Sequence, residues 1–380
     1  MYSLRDHGKM ISDPGRFDAY VKAIAAAVRP GDVVVEIGAG TGVFSLLACR
    51  AGARRVFAIE SEDIIQYARE LAAANGFSDR IEFFENNSRL VELPERANVV
   101  VSDIRGCLPL FERAVPSLED ARKRFLVPGG IMIPYREKLK AALVEADDFY
   151  RHIVAPWSKS VSGIDLSALR LRVLDLGCTT SFTEQQLLTP GQEWGALDYM
   201  AGASTRAGAH LEFCVTRSGT GHGLCLWFET LLHGTTGFVS APGTPDNVYG
   251  QLFLPWLEPV ALQEGDRVQV ALHADLIGED YVWQWETTIP ASVHRAAIHF
   301  RQTNFDGAAY SAQALHRQAF DYVPALSQSG QVEMWMLERM DGKTSLQEIA
   351  QSAAQQFPKV FASWEEAFRQ AAELSTKMSR

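Results

Sequence analysis

The sequence predicts an α/β fold class: a Rossmann-like parallel sheet, then an antiparallel β-barrel, then a small helical (winged-helix-like) C-terminal module. Three observations predict it. Residues 31–135 alternate between short β-branched runs and helix-like stretches. Residues 136–300 carry short alternating runs separated by turn residues, a pattern typical of antiparallel barrels and sandwiches. Residues 311–380 show helical periodicity instead. We therefore expect three domains, residues 1–135, 136–310 and 311–380.

Composition narrows the class of protein. A chain of 380 residues is longer than one ordinary core requires. No apolar run reaches the ~18 residues of a membrane span, and the N-terminus lacks a signal-peptide core. The net charge of −10 disfavours nucleic-acid binding and is compatible with a cationic substrate. The cysteines and histidines lack metal-ligand spacing, so we expect no metal site. Without a membrane span or a signal peptide, we expect a cytoplasmic protein with no membrane partner, and the charge argues against a nucleic-acid partner.

The first elements predict a nucleotide-type site. An amphipathic helical lead-in, broken near residues 13–15, carries Arg16, which on spacing alone could be a surface charge. The apolar run 33–37 then enters a loop with glycines at 38, 40 and 42, which let the backbone turn sharply and approach a ligand closely. The next β-rich run ends in Glu60, where a ribose diol could be held. Val43 excludes the dinucleotide fingerprint, although the loop alone fits other nucleotide folds.

A pair of acids follows the fourth predicted strand. The apolar run 97–102 ends in Asp103, and Glu112 lies nine residues further along a loop that contains Gly106 and Pro109. Chemistry in open α/β sheets lies at the carboxyl ends of strands. Two carboxylates in one site either repel each other or jointly hold a cation. The alternative is that Asp103 caps the next helix and Glu112 is solvated.

The later segments are predicted more coarsely. Residues 166–188 are compatible with a helix and are expected to be an insertion rather than part of the barrel. Three short helices are expected near the end of the chain, around residues 332–340, 345–350 and 363–368. Met334, Trp335 and Met336 are expected in the core, with a partner groove as the alternative.

These residues together carry a resemblance. The loop Gly38-x-Gly40-x-Gly42 is similar to motif I of class I S-adenosylmethionine-dependent methyltransferases, and residues 1 to about 290 resemble the protein arginine methyltransferases. Residues 102–112 match that family's double-glutamate loop. The resemblance implies S-adenosyl-L-methionine as cofactor, with Arg16 on its methionine carboxylate and Glu60 on its ribose. It also implies a homodimer formed through an arm near residues 166–188.

The resemblance implies three groups of site residues. The predicted cofactor-binding residues are Arg16, Glu36, Gly38, Gly40, Glu60 and Ser88. The predicted catalytic pair is Asp103 and Glu112. The predicted substrate-binding residues are Met10, Arg105 and Tyr249.

Two departures from the family pattern bear on the substrate. The first acid is Asp103, where the family has glutamate, and Arg105 beside it could partly neutralise the pocket. The barrel loop has Asn247-Val248-Tyr249 where the family has Thr-His-Trp. We expect methylation of an arginine guanidinium, or a similar cationic nitrogen, in a peptide or protein. A free guanidino or amino compound as acceptor and an inactive cofactor-binding scaffold are the alternatives.

The C-terminal module carries a second resemblance. Residues 336–349, an apolar helix followed by Asp-Gly and a capped acidic-apolar helix, are similar to PqqD-like peptide-binding domains. This resemblance implies that the module holds a precursor peptide for modification. A helical tail or a dimer contact explains the same pattern almost as well.

Overall fold

The computed structural model describes residues 2–245, 247–293, 295–309 and 311–378. The chain folds into two compact units, Met1–Ala308 and Ala309–Arg380. Three of the predicted domain bounds, residues 1, 310 and 380, lie outside the described residues. Among the described residues, no helix is both long enough and apolar enough to cross a membrane.

The first unit begins with two helices and a five-stranded parallel sheet of order β3-β2-β1-β4-β5. The strands are β1 Val33–Ile37, β2 Arg55–Glu60, β3 Ile81–Glu85, β4 Ala97–Ser102 and β5 Leu126–Ile133. The helices are α1 Leu4–Ser12, α2 Pro14–Ala27, α3 Val43–Ala51, α4 Ile65–Ala74 and α5 Ala114–Arg124, with a short 3₁₀ turn at Ser88–Leu90. The predicted Rossmann-like sheet is therefore confirmed.

The register of the sheet brings the site elements to one edge. β1 is buried along its whole length and pairs in parallel with β2 on one side and β4 on the other. Ile37 is paired with Ile59 and with Ser102, so the glycine loop, Glu60 and Asp103 all follow the same row of strand ends. This is the edge at which open α/β sheets bind ligands.

The rest of the first unit is an antiparallel β domain, as predicted. One sheet has the order β10-β6-β12-β14-β9 with β13 paired to β12, and the other has the order β11-β15-β16-β17. Their strands are β6 Arg136–Val144, β9 Cys178–Thr180, β10 Gln192–Asp198, β11 Arg206–Cys214, β12 Gly219–His233, β13 Thr236–Val239, β14 Gln251–Leu262, β15 Arg267–Ile277, β16 Asp280–Ile289 and β17 Ile298–Thr303. Large side chains such as Trp256, Trp285 and Phe228 fill the core between them.

The segment between β6 and β10 differs in detail from its expected helix. It contains α6 Asp147–Val154, the small hairpin β7 Ser160–Val161 and β8 Ile164–Asp165, α7 Arg170–Leu174, and 3₁₀ turns at Ala155–Trp157, Ser167–Leu169 and Glu184–Gln186. Within the stretch 166–188, strand β9 pairs with β14 and joins the barrel sheet. Only part of that stretch is therefore an insertion. Residues 178–180 belong to the barrel sheet, because their backbone hydrogen-bonding groups pair with β14. A short helix, α8 Asn304–Gly307, ends the unit.

The second unit has its own small core. Its helices are α9 Ala312–His316, α10 Gln328–Leu337, α11 Leu346–Gln356 and α12 Trp364–Met378. Val332, Met336 and Ile349 are fully buried in it. Trp335 packs against this core, whereas Met334 is exposed, so the expectation of a core position fails for Met334 alone.

Candidate active site

A cavity of about 1040 Å³ opens over the carboxyl ends of β1, β2 and β4. Its lining comes from α1, α2, the glycine loop, the loop between β4 and α5 and the barrel loop before β14. All the predicted site residues line it: Met10, Arg16, Glu36, Gly38, Gly40, Glu60, Ser88, Asp103, Arg105, Glu112 and Tyr249. Residues spread over most of the first unit therefore share one cavity.

The glycine loop and Glu60 form one side of the cavity. Gly40 has a left-handed φ of 53° and donates its N–H to Glu60 Oε2 at 2.9 Å. The other carboxylate oxygen of Glu60 accepts the N–H groups of Ser61 (2.7 Å) and Glu62 (3.1 Å). A Cβ at Gly40 would lie 2.6 Å from the ring of His7, so α1 covers this loop closely. Any side chain here would have to displace the His7 ring and adopt a left-handed backbone, so glycine fits best.

Glu36 lies beneath the same loop. Its side chain is buried, and one oxygen accepts the Ser45 N–H at 2.7 Å and the Ser45 hydroxyl. Burial raises the pKa of Glu36 to about 8, against the opposing effect of the Ser45 hydrogen bonds. The carboxyl is therefore mostly protonated at neutral pH, so the cavity holds a neutral acid beside Glu60.

Arg16 faces the loop from α2. Asp13 caps this helix by accepting the Arg16 N–H at 3.0 Å, and Pro14 occupies its first turn. The buried guanidinium donates to the Met10 carbonyl oxygen at 2.8 Å, to Asp103 Oδ2 at 2.5 Å and to the Tyr249 hydroxyl at 3.0 Å. Met10 thus contributes a backbone carbonyl to this cluster, and Arg16, a predicted cofactor residue, contacts Asp103 of the predicted catalytic pair.

Asp103 is enclosed by side chains. Besides Arg16, its carboxylate has Arg105 Nε at 3.1 Å from Oδ1, and the Tyr249 hydroxyl lies 2.9 and 2.8 Å from its two oxygens. Burial opposes ionisation, but the two guanidiniums and the tyrosine outweigh it and hold the pKa of Asp103 below its usual value. Because α5 begins at Ala114 with Arg113 as its N-cap, Asp103 does not cap that helix.

Glu112 occupies a different environment on the same cavity. Its backbone is left-handed, with φ of 41°, and the residue is exposed. Within the described residues, its carboxylate has no hydrogen bond or ion pair. A left-handed glutamate costs about 1–3 kcal/mol, so the surrounding loop must hold it there. In the same loop the Phe111 ring packs against Gly106, where an added Cβ would lie 2.7 Å from a ring carbon.

The remaining predicted residues have structural partners. The Tyr249 ring stacks on Phe238 at 5.9 Å between centroids. Ser88 lies in the turn after β3, and its carbonyl oxygen accepts from Arg124 at 2.8 Å. Arg105 is buried behind Asp103 and pairs with Glu137. Glu137 was not predicted, because nothing in its local sequence distinguishes it from the charged residues on either side.

Comparisons with known proteins agree with this architecture. The family model for ribosomal protein L11 methyltransferase matches residues 19–135. A probable protein arginine N-methyltransferase 6 of Arabidopsis thaliana is 37% identical over 165 residues, 43% of this chain and 38% of that protein. Protein arginine N-methyltransferase 1.1 of the same plant is 27% identical over 270 residues, 69% of each. The chain therefore spans from 38% to 69% of the length of these two relatives.

A solved structure shares the fold. The Trypanosoma brucei PRMT1 enzyme-prozyme heterotetrameric complex with AdoHcy superposes with a TM-score of 0.71 at 19% identity, covering 78% of this chain and 97% of that chain. The predicted order of a Rossmann-like domain and a barrel is the order in this fold. The chain is thus similar in sequence to the protein arginine methyltransferases, has their fold, and begins with a domain of the class I methyltransferase type.

Proposed function

We propose that this protein is an S-adenosylmethionine-dependent N-methyltransferase that methylates an arginine guanidinium in a peptide or protein. The observation that carries the proposal is one cavity in which Glu60 and the glycine loop lie beside Arg16, and Arg16 in turn contacts Asp103. The groups that we expect to bind the nucleoside and the cation therefore line one cavity. The names of the relatives support the same activity.

The residues fit the cofactor. The Glu60 carboxylate lies beside Gly40, where it can accept hydrogen bonds from the two hydroxyls of a ribose. The His7 side chain bounds the space over Gly40 and the Ile104 side chain bounds the space over Gly38, since an added Cβ at each glycine would meet that neighbour. Arg16 supplies the cation for an amino-acid carboxylate. When bound, S-adenosylmethionine supplies an electrophilic methyl group for an in-line displacement.

The chain's own residues supply alignment and charge. In this mechanism Asp103 and Glu112 hold the acceptor's guanidinium and keep one nitrogen directed at the methyl group. Such alignment is the main contribution an enzyme makes to a displacement of this kind. Helix α1, with His7 close to Gly40, is placed to cover the bound cofactor. No strong base is needed, because the methylated cation can lose its proton after transfer.

Labelled S-adenosylmethionine tests the proposal directly. The full chain is incubated with arginine peptides and with the same peptides carrying lysine instead. We expect sustained transfer to the arginine peptides, with mass spectrometry placing the methyl group on the side chain. Transfer only to free guanidino compounds would favour the small-molecule alternative. Cofactor binding without any turnover would favour the scaffold.

The C-terminal unit is proposed to hold the peptide, as its PqqD-like resemblance implies. Met334, Trp364 and Phe368 keep large apolar side chains exposed on a unit with its own buried core. Exposed aromatic and methionine side chains are suited to peptide binding. A chain ending at Ala308 is expected to methylate a free guanidino compound as the full chain does, but to lose affinity for a precursor peptide.

A homodimer and a cytoplasmic location are also proposed. The segment from β7 to α7 exposes Val161, Ile164, Leu169 and Leu171, a run of apolar residues that a second copy would cover. Sedimentation of the full chain should give twice the monomer mass, and Leu169→Glu should shift it to a monomer. An unchanged monomer mass in both proteins would exclude this assembly.

A further inference from the structure

Arg105 is a buried cation in the loop that joins the two predicted catalytic acids. Its guanidinium is 4% exposed, with Nε 3.1 Å from Asp103 Oδ1 and Nη1 2.5 Å from Glu137 Oε1. The Nη2 group donates to the Tyr20 hydroxyl at 2.8 Å. A charge this deep is stable only when paired. Arg105 is therefore paired on one side with the cavity acid and on the other with the barrel.

Glu137 fixes the far side of Arg105. It lies on β6 with a fully buried side chain, and its other oxygen accepts the Tyr199 hydroxyl at 2.5 Å. The rings of Phe228 and Phe238 lie 5.2 and 5.6 Å from the Arg105 guanidinium carbon. Cation–π contacts of this kind add to the two ion pairs and to the hydrogen bond with Tyr20. The guanidinium thus has one well-defined position, set by elements outside the acceptor loop.

This position determines how Asp103 is presented. Arg105 binds Oδ1, Arg16 binds Oδ2 and the Tyr249 hydroxyl contacts both oxygens. An aspartate reaches one methylene less far than a glutamate, and here both of its oxygens are fixed. Its negative charge is balanced by two guanidiniums. Glu112, on the same cavity, has no such cation among the described residues.

We propose that Arg105, anchored by Glu137, is a positioning residue that fixes the Asp103 carboxylate in the acceptor cavity and leaves Glu112 as the main attraction for the acceptor's positive charge. The inference rests on the methyltransferase function proposed above and deepens it. Asp103 then orients the acceptor nitrogen, and Glu112 determines how tightly the acceptor binds.

The test removes the buried pair without leaving either charge alone. In the double variant Arg105→Met with Glu137→Gln, we expect kcat for an arginine peptide to fall about 10- to 100-fold, because Asp103 loses its fixed orientation. The acceptor KM should stay within about threefold, since Glu112 is unchanged. Binding of S-adenosylmethionine reports that the double variant is folded. Arg105→Lys keeps the charge without the planar fork and should recover part of the lost kcat.

The pH profile separates positioning from a structural role. Asp103 faces titratable or charged groups from the N-terminal segment, α2, its own loop, β6 and the barrel loop: Tyr2, Arg16, Tyr20, Arg105, Glu112, Glu137 and Tyr249. Losing Arg105 removes a cation, so the acidic limb of kcat/KM should move to higher pH in the double variant. Glu137→Gln alone removes an anion, so the limb should stay or move to lower pH.

A readout without turnover completes the test. The Asp103 carboxyl is followed by ¹³C NMR in aspartate-labelled protein, with Asp103→Asn identifying its signal. We expect it to titrate at higher pH in the double variant than in the wild type. If the wild type methylates no arginine peptide, the proposed function fails while this titration still tests the role of Arg105. An unchanged titration, or wild-type kcat in the folded double variant, would overturn the inference.

Discussion

The two sides of the cavity hold their acids in different ways. On the glycine-loop side, Glu60 and Glu36 accept backbone N–H groups, and their partners Gly40 and Ser45 are 20 and 9 residues away in sequence. On the acceptor side, Asp103 is held by side chains, and its partners Arg16 and Tyr249 are 87 and 146 residues away. Acids held by nearby backbone are encoded locally, whereas acids held by distant side chains depend on the complete fold.

The largest expected effect is on the acceptor side. Asp103→Asn should lower methyl transfer about a thousandfold, because the neutral amide removes the negative charge that Arg16 and Arg105 hold in the acceptor cavity. S-adenosylmethionine binding, measured by calorimetry, should persist, since Glu60 and the glycine loop are untouched. The variant leaves two buried guanidiniums with less counter-charge, so its fold is checked by near-UV circular dichroism. Transfer within tenfold of the wild type would remove Asp103 from the mechanism.

On the glycine-loop side, the matching substitution should act on stability. Glu36→Gln is expected to stabilise the protein by roughly 2–4 kcal/mol at pH 8. Burial raises the pKa of Glu36 from 4.5 to about 8, so the folded chain keeps a proton that the unfolded chain releases between these values. The stability of the neutral carboxyl is thus fully present below pH 4.5 and is lost as the pH rises to about 8.

Urea unfolding of both proteins across this window measures the effect. The wild-type free energy of unfolding should fall steadily relative to that of Glu36→Gln as the pH rises from 4.5 to about 8. The glutamine keeps an oxygen for the Ser45 N–H, so the hydrogen bond itself is not lost. Parallel curves for the two proteins would mean that Glu36 is ionised in the folded state.

The same contrast explains what the sequence could predict. The glycine loop, Glu60 and the Rossmann-like sheet were predictable because each depends on local spacing and on the alternation of strands and helices. Asp103 and Glu112 were predictable as a pair by their separation. Their unequal surroundings were not, because the enclosure of Asp103 needs Glu137 and Tyr249, which only the folded barrel brings to the loop. The left-handed backbone of Glu112 has no local signal, since glutamate rarely adopts it.

Glu112→Gln should have a smaller effect than Asp103→Asn and a different kinetic form. We expect kcat/KM for an arginine peptide to fall about 10- to 30-fold, mainly through a higher acceptor KM, because a charge-assisted contact is lost. Glu279→Gln is the matched control. Glu279 lines the same cavity and is exposed, but it has a counterion, Arg113, at 3.2 Å. Equal effects in the two variants would mean that general negative charge, not Glu112, attracts the acceptor.

The smallest predicted effect returns to the glycine loop. Gly40→Ala should weaken S-adenosylmethionine binding about tenfold, because the new Cβ meets the His7 ring and displaces α1 from the loop. Gly76→Ala is the matched control: it has a left-handed φ of 74° but open space around its Cβ position. Both variants should lose about 1 kcal/mol of stability, since both force alanine into a left-handed backbone. Only Gly40→Ala should change the affinity for the cofactor measured by calorimetry. An equal loss of affinity in both variants would assign the effect to backbone strain rather than to the cover that α1 and His7 provide.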